Sequence, residues 1–221
     1  MATEAEAPWV QVEKGMLSRV LYPNPVCLLT VRNPETDERN VMTITWLTPI
    51  NNQGGFICSM NRNRHSAQFV NRPGAHFVLN IPVQGMEELV LSIGGCSGAS
   101  VDKFSEFGID TCNPGDTVYT SDHVEETKAK KQKLSKQEIS LRAIQDAAST
   151  CIAVRGCVAH VLSRVERVEE DDGHWILRCT QLAAWCRENY WDGKNFIPQQ
   201  RSLPPYLTFL GSKVFGYVQS E

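Results

Sequence analysis

Asn40-Val-Met-Thr-Ile-Thr-Trp46, followed about one strand later by Asn61-Arg-Asn-Arg-His-Ser66, is the stretch that decides the fold. In the first segment Val41, Met42, Ile44 and Trp46 interleave with Thr43, Thr45 and Thr48. That period-two pattern predicts a strand with one buried face and one face presenting hydroxyls and backbone amides. In the second segment Arg64, His65 and Ser66 stand at the head of an apolar run, Ala67, Phe69 and Val70, that reads as a short helix. Free N–H groups at a helix start, with a guanidinium and a hydroxyl beside them, attract a phosphate. Each segment alone has a plainer reading, since threonine suits solvated strand positions and an Arg-His-Ser run can simply be a capped helix end. Together, a hydroxyl-lined strand and a phosphate cup are what a mononucleotide-sized cofactor needs.

Working outward, Tyr22-Pro-Asn-Pro25 leads into the strand Val26-Cys-Leu-Leu-Thr-Val31. After residues 40–46 come the strand Gly55-Phe-Ile-Cys-Ser-Met60, the short helix, and the strand Ala75-His-Phe-Val-Leu-Asn-Ile-Pro82. Turn signals separate them at Asn33-Pro34, Asn51-Asn52 and Gly54-Gly55, and Arg72-Pro73-Gly74 breaks the helix. Residues 86–93 and 101–107 read as short helices, the second ended by Gly108. Residues 151–168 read as one long strand with Ile152, Val154, Val158, His160 and Leu162 on one side and Gly156 allowing a bend. Asp171-Asp172-Gly173 predicts a hairpin, residues 174–187 its returning strand, and residues 206–210 the last core strand. Many strands in meander order with no βαβ rhythm predict an antiparallel barrel.

Residues 117–148 differ in character. Asp122-x-x-Glu125 and Ser135-x-x-Glu138 both fit helix-starting capping boxes, and Lys128, Lys130, Lys131, Lys133 and Lys136 form a basic run between and beside them. Leu134, Leu141, Ile144 and Ala148 then fall at helical spacing as one apolar stripe. The region reads as a helical insertion with a solvated Lys-rich half, balanced by Glu125, Glu126 and Glu138.

At 221 residues the chain is long enough to bury a substantial core as a single domain, 1–221. Its hydrophobic content of 42% and charged content of 21% are ordinary for a soluble globular chain. A formal charge of −3 argues against nucleic acid as a partner. The acidic start, Met1-Ala-Thr-Glu-Ala-Glu-Ala7, has no apolar signal-like core, and no apolar run approaches membrane-spanning length. A cytosolic protein without a membrane partner is expected. The eight cysteines show no Cys-x-x-Cys pair and no zinc-site spacing, so they read as small buried hydrophobes in a reducing compartment. Cys96, in a glycine-rich loop, stands apart.

Several catalytic templates are absent: a Gly-x-Ser-x-Gly elbow, a Gly-x4-Gly-Lys-Ser/Thr loop, a Gly-x-Gly-x-x-Gly fingerprint and a His-Glu-x-x-His pair. The five histidines are scattered. No catalytic side chain and no metal ligand set is assigned. What survives is a binding architecture for a cofactor that carries its own chemistry.

The ordered set of segments resembles the flavin reductase-like family of FMN-binding split-barrel proteins. The likeness rests on the segments quoted above and resumes at Ser97 and Asp102-Lys-Phe-Ser-Glu-Phe-Gly108. It returns in Tyr190-Trp-Asp-Gly-Lys194, in Pro205-Tyr-Leu-Thr-Phe-Leu-Gly211 and at Tyr217, and so covers most of residues 17–112 and 150–218. It implies a mainly β fold, an antiparallel Greek-key-like split barrel with short flanking helices, from which 117–148 departs as an insertion. It further implies that Thr43, Thr45 and Trp46 line the ring and ribityl chain of FMN, and that Ser59, Asn61, Arg64, His65 and Ser66 gather around the phosphate. Asn80 would reach the ring or ribityl chain from the next strand, and Ser97 and Lys103 would approach the ring's polar edge. On the residues alone, Lys103 reads equally well as a surface lysine, Trp46 as core and Asn80 as a strand-end turn former. The resemblance implies a homodimer, with Phe196, Ile197 and Leu203-Pro-Pro-Tyr206 as candidate contacts. It implies an FMN-dependent oxidoreductase passing electrons from NADH or NADPH to flavin or another small acceptor. The alternatives are a non-enzymatic FMN-binding or electron-carrier protein acting with a partner, and an interaction protein that kept only the barrel.

Overall fold

The computed structural model describes residues 11, 13, 21, 23–33, 35–116 and 136–220. The strands are β1 (Asn24–Pro25), β2 (Cys27–Arg32), β3 (Arg39–Ile44), β4 (Leu47–Pro49), β5 (Gly55–Asn61), β6 (His76–Ile81), β7 (Thr111–Cys112), β8 (Ala153–Val154), β9 (Ala159–Asp171), β10 (His174–Cys186), β11 (Tyr206–Gly211) and β12 (Val214–Val218). The α-helices are α1 (Ala67–Val70), α2 (Glu87–Gly95), α3 (Lys103–Glu106) and α4 (Lys136–Ser149).

Seven strands form one antiparallel sheet in the order β3-β2-β6-β9-β10-β5-β4. Its two outer strands are neighbours in sequence, separated only by Thr45 and Trp46. So short a link reaches at most about 11 Å, far less than the width of a flat seven-stranded sheet at about 4.8 Å per strand. The sheet must therefore curl until its edges meet, which is the split barrel. Its central hairpin is β9–β10, where Asp172 and Gly173 both take positive φ (43° and 75°), the mirror-image turn that matches strand twist.

Alternation sends Leu29, Val31, Met42, Ile44, Phe56, Cys58, Met60, Phe77, Leu79 and Leu177 into the barrel. The outer face is covered as well. Val26, Leu28 and Val41 pack under Val90 and Ile93 of α2 and Phe104 of α3. Val78 and Leu162 pack under Ala147 and Ala148 of α4. Strand β3 is thus buried on both faces, where a single buried face and a hydroxyl face were expected, because α2 lies across the outer side.

The structure differs from the sequence reading at three further places. The strand expected over 151–168 is interrupted: β8 ends at Val154, the Cys157 N–H donates back to the Val154 carbonyl at 3.1 Å, and β9 begins at Ala159. The bend falls at Gly156, as expected. Residues 206–210 are not the last strand, because β12 follows and forms a three-stranded sheet with β11 and β1. Leu141 is 60% exposed, so the α4 stripe that reaches the core is Ile144, Ala147 and Ala148. Phe196, Ile197, Leu203 and Tyr206, the candidate partner contacts, are half-buried, with Phe196 stacked on Tyr206 at 4.8 Å. Leu134 and the lysines at 128–133 lie outside the described residues.

Candidate functional site

A cavity of about 250 Å³ opens beside the edge strand β3, between residues 63–66 before α1 and residues 93–98 at the C-terminal end of α2. Its charged lining is one-sided: Arg64 and Lys103 contribute cations and no carboxylate lines it. None of the ion pairs among the described residues engages either cation. Arg64 is exposed and stands at the mouth. Lys103 is only 4% exposed, and its Nζ donates to the Ile93 carbonyl at 2.7 Å. That bond caps a carbonyl in the last turn of α2, where a cation also meets the negative end of the helix. Burial pulls the Lys103 pKa below the ordinary lysine value; Cys96 opposes this and Arg64 adds to it. The surface-lysine reading is therefore excluded, and among the described residues no carboxylate pairs with this buried ammonium.

Thr43, Arg64, His65, Ser66, Ser97 and Lys103 all line this cavity. Their roles within it differ. The Thr43 hydroxyl donates to the Val90 carbonyl at 2.6 Å and ties β3 to α2. The His65 ring is held by Gln68 at 2.7 Å and Glu38 at 3.2 Å, on the far side of α1 from the cavity. Ser66 is 0% exposed, and its Oγ accepts from Asn40 Nδ2 at 2.9 Å, which makes it a fastener of the wall. The helix behind it is a single turn, α1, with no side-chain cap bond from Ser66. Attraction for an anion here rests on Arg64 and Lys103 and not on a helix start.

The other expected residues lie elsewhere. Trp46, 43% exposed, and Ser59 line a separate open groove with Leu21, Leu47 and Ile57, and the Trp46 ring sits 5.6 Å from that of His174. Thr45 forms the short link between the sheet edges and its carbonyl accepts from the Leu47 N–H. Asn61 ends β5, and its Oδ1 accepts from the Asn63 N–H at 2.9 Å, shaping the turn that presents Arg64. Asn80 needs correction. It is fully buried, donates to the Leu28 carbonyl at 2.6 Å and to Thr30 Oγ1 at 3.1 Å, and accepts from the Val154 N–H at 2.7 Å. It joins β2, β6 and β8 and reaches no cavity. Asn40, Met42, Asn63 and Ile93 line the cavity without having been singled out. Asn40 alone carried a signal, because asparagine is depleted from strand interiors.

An antiparallel split barrel with a cation-lined, carboxylate-free cavity beside its edge strand β3 is the architecture that the comparisons have to match. The family model described as "Flavin reductase like domain" matches residues 17–129, and the chain belongs to that family. No curated protein sequence matches it. Among solved structures it is similar to flavoredoxin from Methanosarcina acetivorans, with TM-score 0.66 and 18% identity over 97% of this chain and 94% of that one. An FMN-binding protein from Thermus thermophilus, with bound 1-cyclohex-2-enone, gives TM-score 0.63 and 17% identity over 100% and 97%. The NADH:FAD oxidoreductase of Streptomyces globisporus C-1027 gives 0.62 and 16% over 97% and 99%. At these identities the likeness is one of fold. No helix among the described residues is long and apolar enough to cross a membrane.

Proposed function

We propose that the chain is an FMN-binding oxidoreductase that takes electrons from NADH or NADPH and passes them to flavin or another small acceptor. The observation that carries this reading is the cavity itself: a buried ammonium and a guanidinium, neither of them ion-paired among the described residues, converge on it in a chain of the flavin reductase-like family. A buried cation without a counter-ion is costly unless a ligand supplies the anion. Residues of this kind fit FMN. Arg64 would meet its phosphate, with Asn63 beside it, and Lys103 and Ser97 would meet the polar edge of its ring. The bound flavin would supply the hydride and electron chemistry. The chain's own part is to bind, to orient through the Thr43–Val90 and Lys103–Ile93 ties, and to hold positive charge where negative charge must be accommodated. Sheet edges, together with the exposed Leu210, Val214 and Tyr217 of the C-terminal hairpin, support a second copy of the chain as a partner in the cytosol.

Titration of the purified protein with FMN, FAD and riboflavin tests the cofactor assignment. Tightest binding of FMN is expected, and riboflavin binding as tightly as FMN would overturn the phosphate assignment. Mixing the FMN-loaded protein with NADH or NADPH in the absence of oxygen should then bleach the flavin absorption. A flavin that stays oxidised with both donors would replace the reductase by an electron carrier.

A further inference from the structure

Asn40 is the second residue of β3 and is almost fully buried. Its Nδ2 donates to Ser66 Oγ across 26 residues of chain, holding the wall that carries Arg64. Its other side meets the opposite wall. A β-carbon at Gly98 would fall 2.2 Å from Asn40 Oδ1 and 2.5 Å from its Cγ, closer than at Gly55, Gly115 or Gly216, the next tightest positions. Gly98 does not take a positive φ, so glycine is required there for room and not for backbone conformation. The Asn40 amide is thus wedged between the Arg64 wall and the loop whose foot is pinned by Lys103.

The wedge is also neutral. Aspartate has the same size and would accept a hydrogen bond from Ser66, yet it would put a carboxylate into a cavity that otherwise holds only cations. We propose that Asn40 is the positioning residue that makes this cavity selective for phosphorylated flavins: it spaces the two walls and keeps the cavity free of negative charge, so that Arg64 meets the ligand's phosphate while Lys103 faces its ring. The inference rests on the flavin reading above and adds the residue that sets its selectivity.

Asn40→Asp is the direct test, read by titration with FMN and riboflavin and by thermal unfolding without ligand. The wild type should bind FMN at least tenfold more tightly than riboflavin. The variant should bind the two within about threefold of each other, while unfolding at no lower temperature because Lys103 and Arg64 gain a partner. A variant that keeps the full preference for FMN overturns the inference and leaves the flavin reading standing. If the wild type binds neither flavin, that reading fails, and inorganic pyrophosphate becomes the probe. Binding to the wild type but not to Asn40→Asp supports the neutral wedge, and any other pattern overturns it. Should Asn40→Asp not fold, Gly98→Ala should weaken FMN at least tenfold, and Asn40→Ala/Gly98→Ala should recover part of the loss. No recovery would show that the two positions do not meet as a wedge.

Discussion

Arg64 and Lys103 bring positive charge to the same cavity from unlike positions, one exposed at the mouth and the other buried at the foot of a loop. Removing Arg64 leaves the fold untouched, so Arg64→Ala should weaken FMN by roughly 1.5–3 kcal/mol, the scale of one charge-assisted hydrogen bond, and leave riboflavin unchanged. Calorimetric titration of both ligands checks this, and equal losses for the two would remove Arg64 from the phosphate. His160 makes a pH prediction. Its Nδ1 accepts from the Gly115 N–H at 3.0 Å and its Nε2 lies 2.9 Å from the Val154 carbonyl, so the ring is neutral with its proton on Nε2. Burial pulls its pKa below 6.5, with the Val154 bond opposing and Arg187 adding to the shift. The unfolded chain therefore takes up the proton first, and stability present at pH 7 falls as pH drops below about 6.5. Melting temperature measured between pH 7 and 5 should fall less steeply in His160→Gln than in the wild type. At this scale the sequence showed which residues carry charge but not which polar groups are already used. The charge of Arg64 and Lys103 is written in the sequence, but that Lys103 is buried against the Ile93 carbonyl is not. The bonds of Asn80 and Ser66 were not legible because their partners, Leu28, Thr30, Val154 and Asn40, come from distant strands.

Among the elements, strands of the barrel were legible wherever alternation met a turn residue, as at β5, β6 and the Asp172-Gly173 hairpin. The β11–β12 hairpin was not, because its turn uses Gly211, Ser212 and Lys213, and the last two are ordinary residues in the left-handed region (φ 49° and 68°). Helix α4 was legible as a helix, but its contact face lay one turn off. A stripe counted through Leu141 ignores that only the last two turns lie over the sheet, against Val78 and Leu162. This geometry makes opposite predictions for two similar changes. Ala148→Asp places a charge in a closed apolar contact and should cost about 2–4 kcal/mol. Leu141→Asp, on the exposed side, should stay within about 0.5 kcal/mol. Urea unfolding of both variants separates them, and equal losses would mean that the exposed half of α4 is covered in solution.

For the molecule as a whole, the cysteines report on both the barrel and the cavity. All eight are free, and Cys27, Cys58, Cys151, Cys157 and Cys179 are buried. Burial pushes their thiols up, Cys151 to about 11 and Cys179 to about 12, and a thiol held protonated is a poor nucleophile. Cys96, Cys112 and Cys186 are half-buried and open to reagent. Iodoacetamide on the native protein should therefore label these three, all eight should label only after unfolding, and a reductant should leave the melting temperature unchanged. Of the three, only Cys96 lines the cavity between Arg64 and Lys103. Saturating FMN should protect Cys96 and leave Cys112 and Cys186 reacting as before, read residue by residue by peptide mass spectrometry. Protection of all three would indicate a general tightening of the fold on binding. Unchanged labelling of Cys96 at saturating FMN would place the cofactor outside this cavity, with the Trp46 and Ser59 groove as the next site to probe.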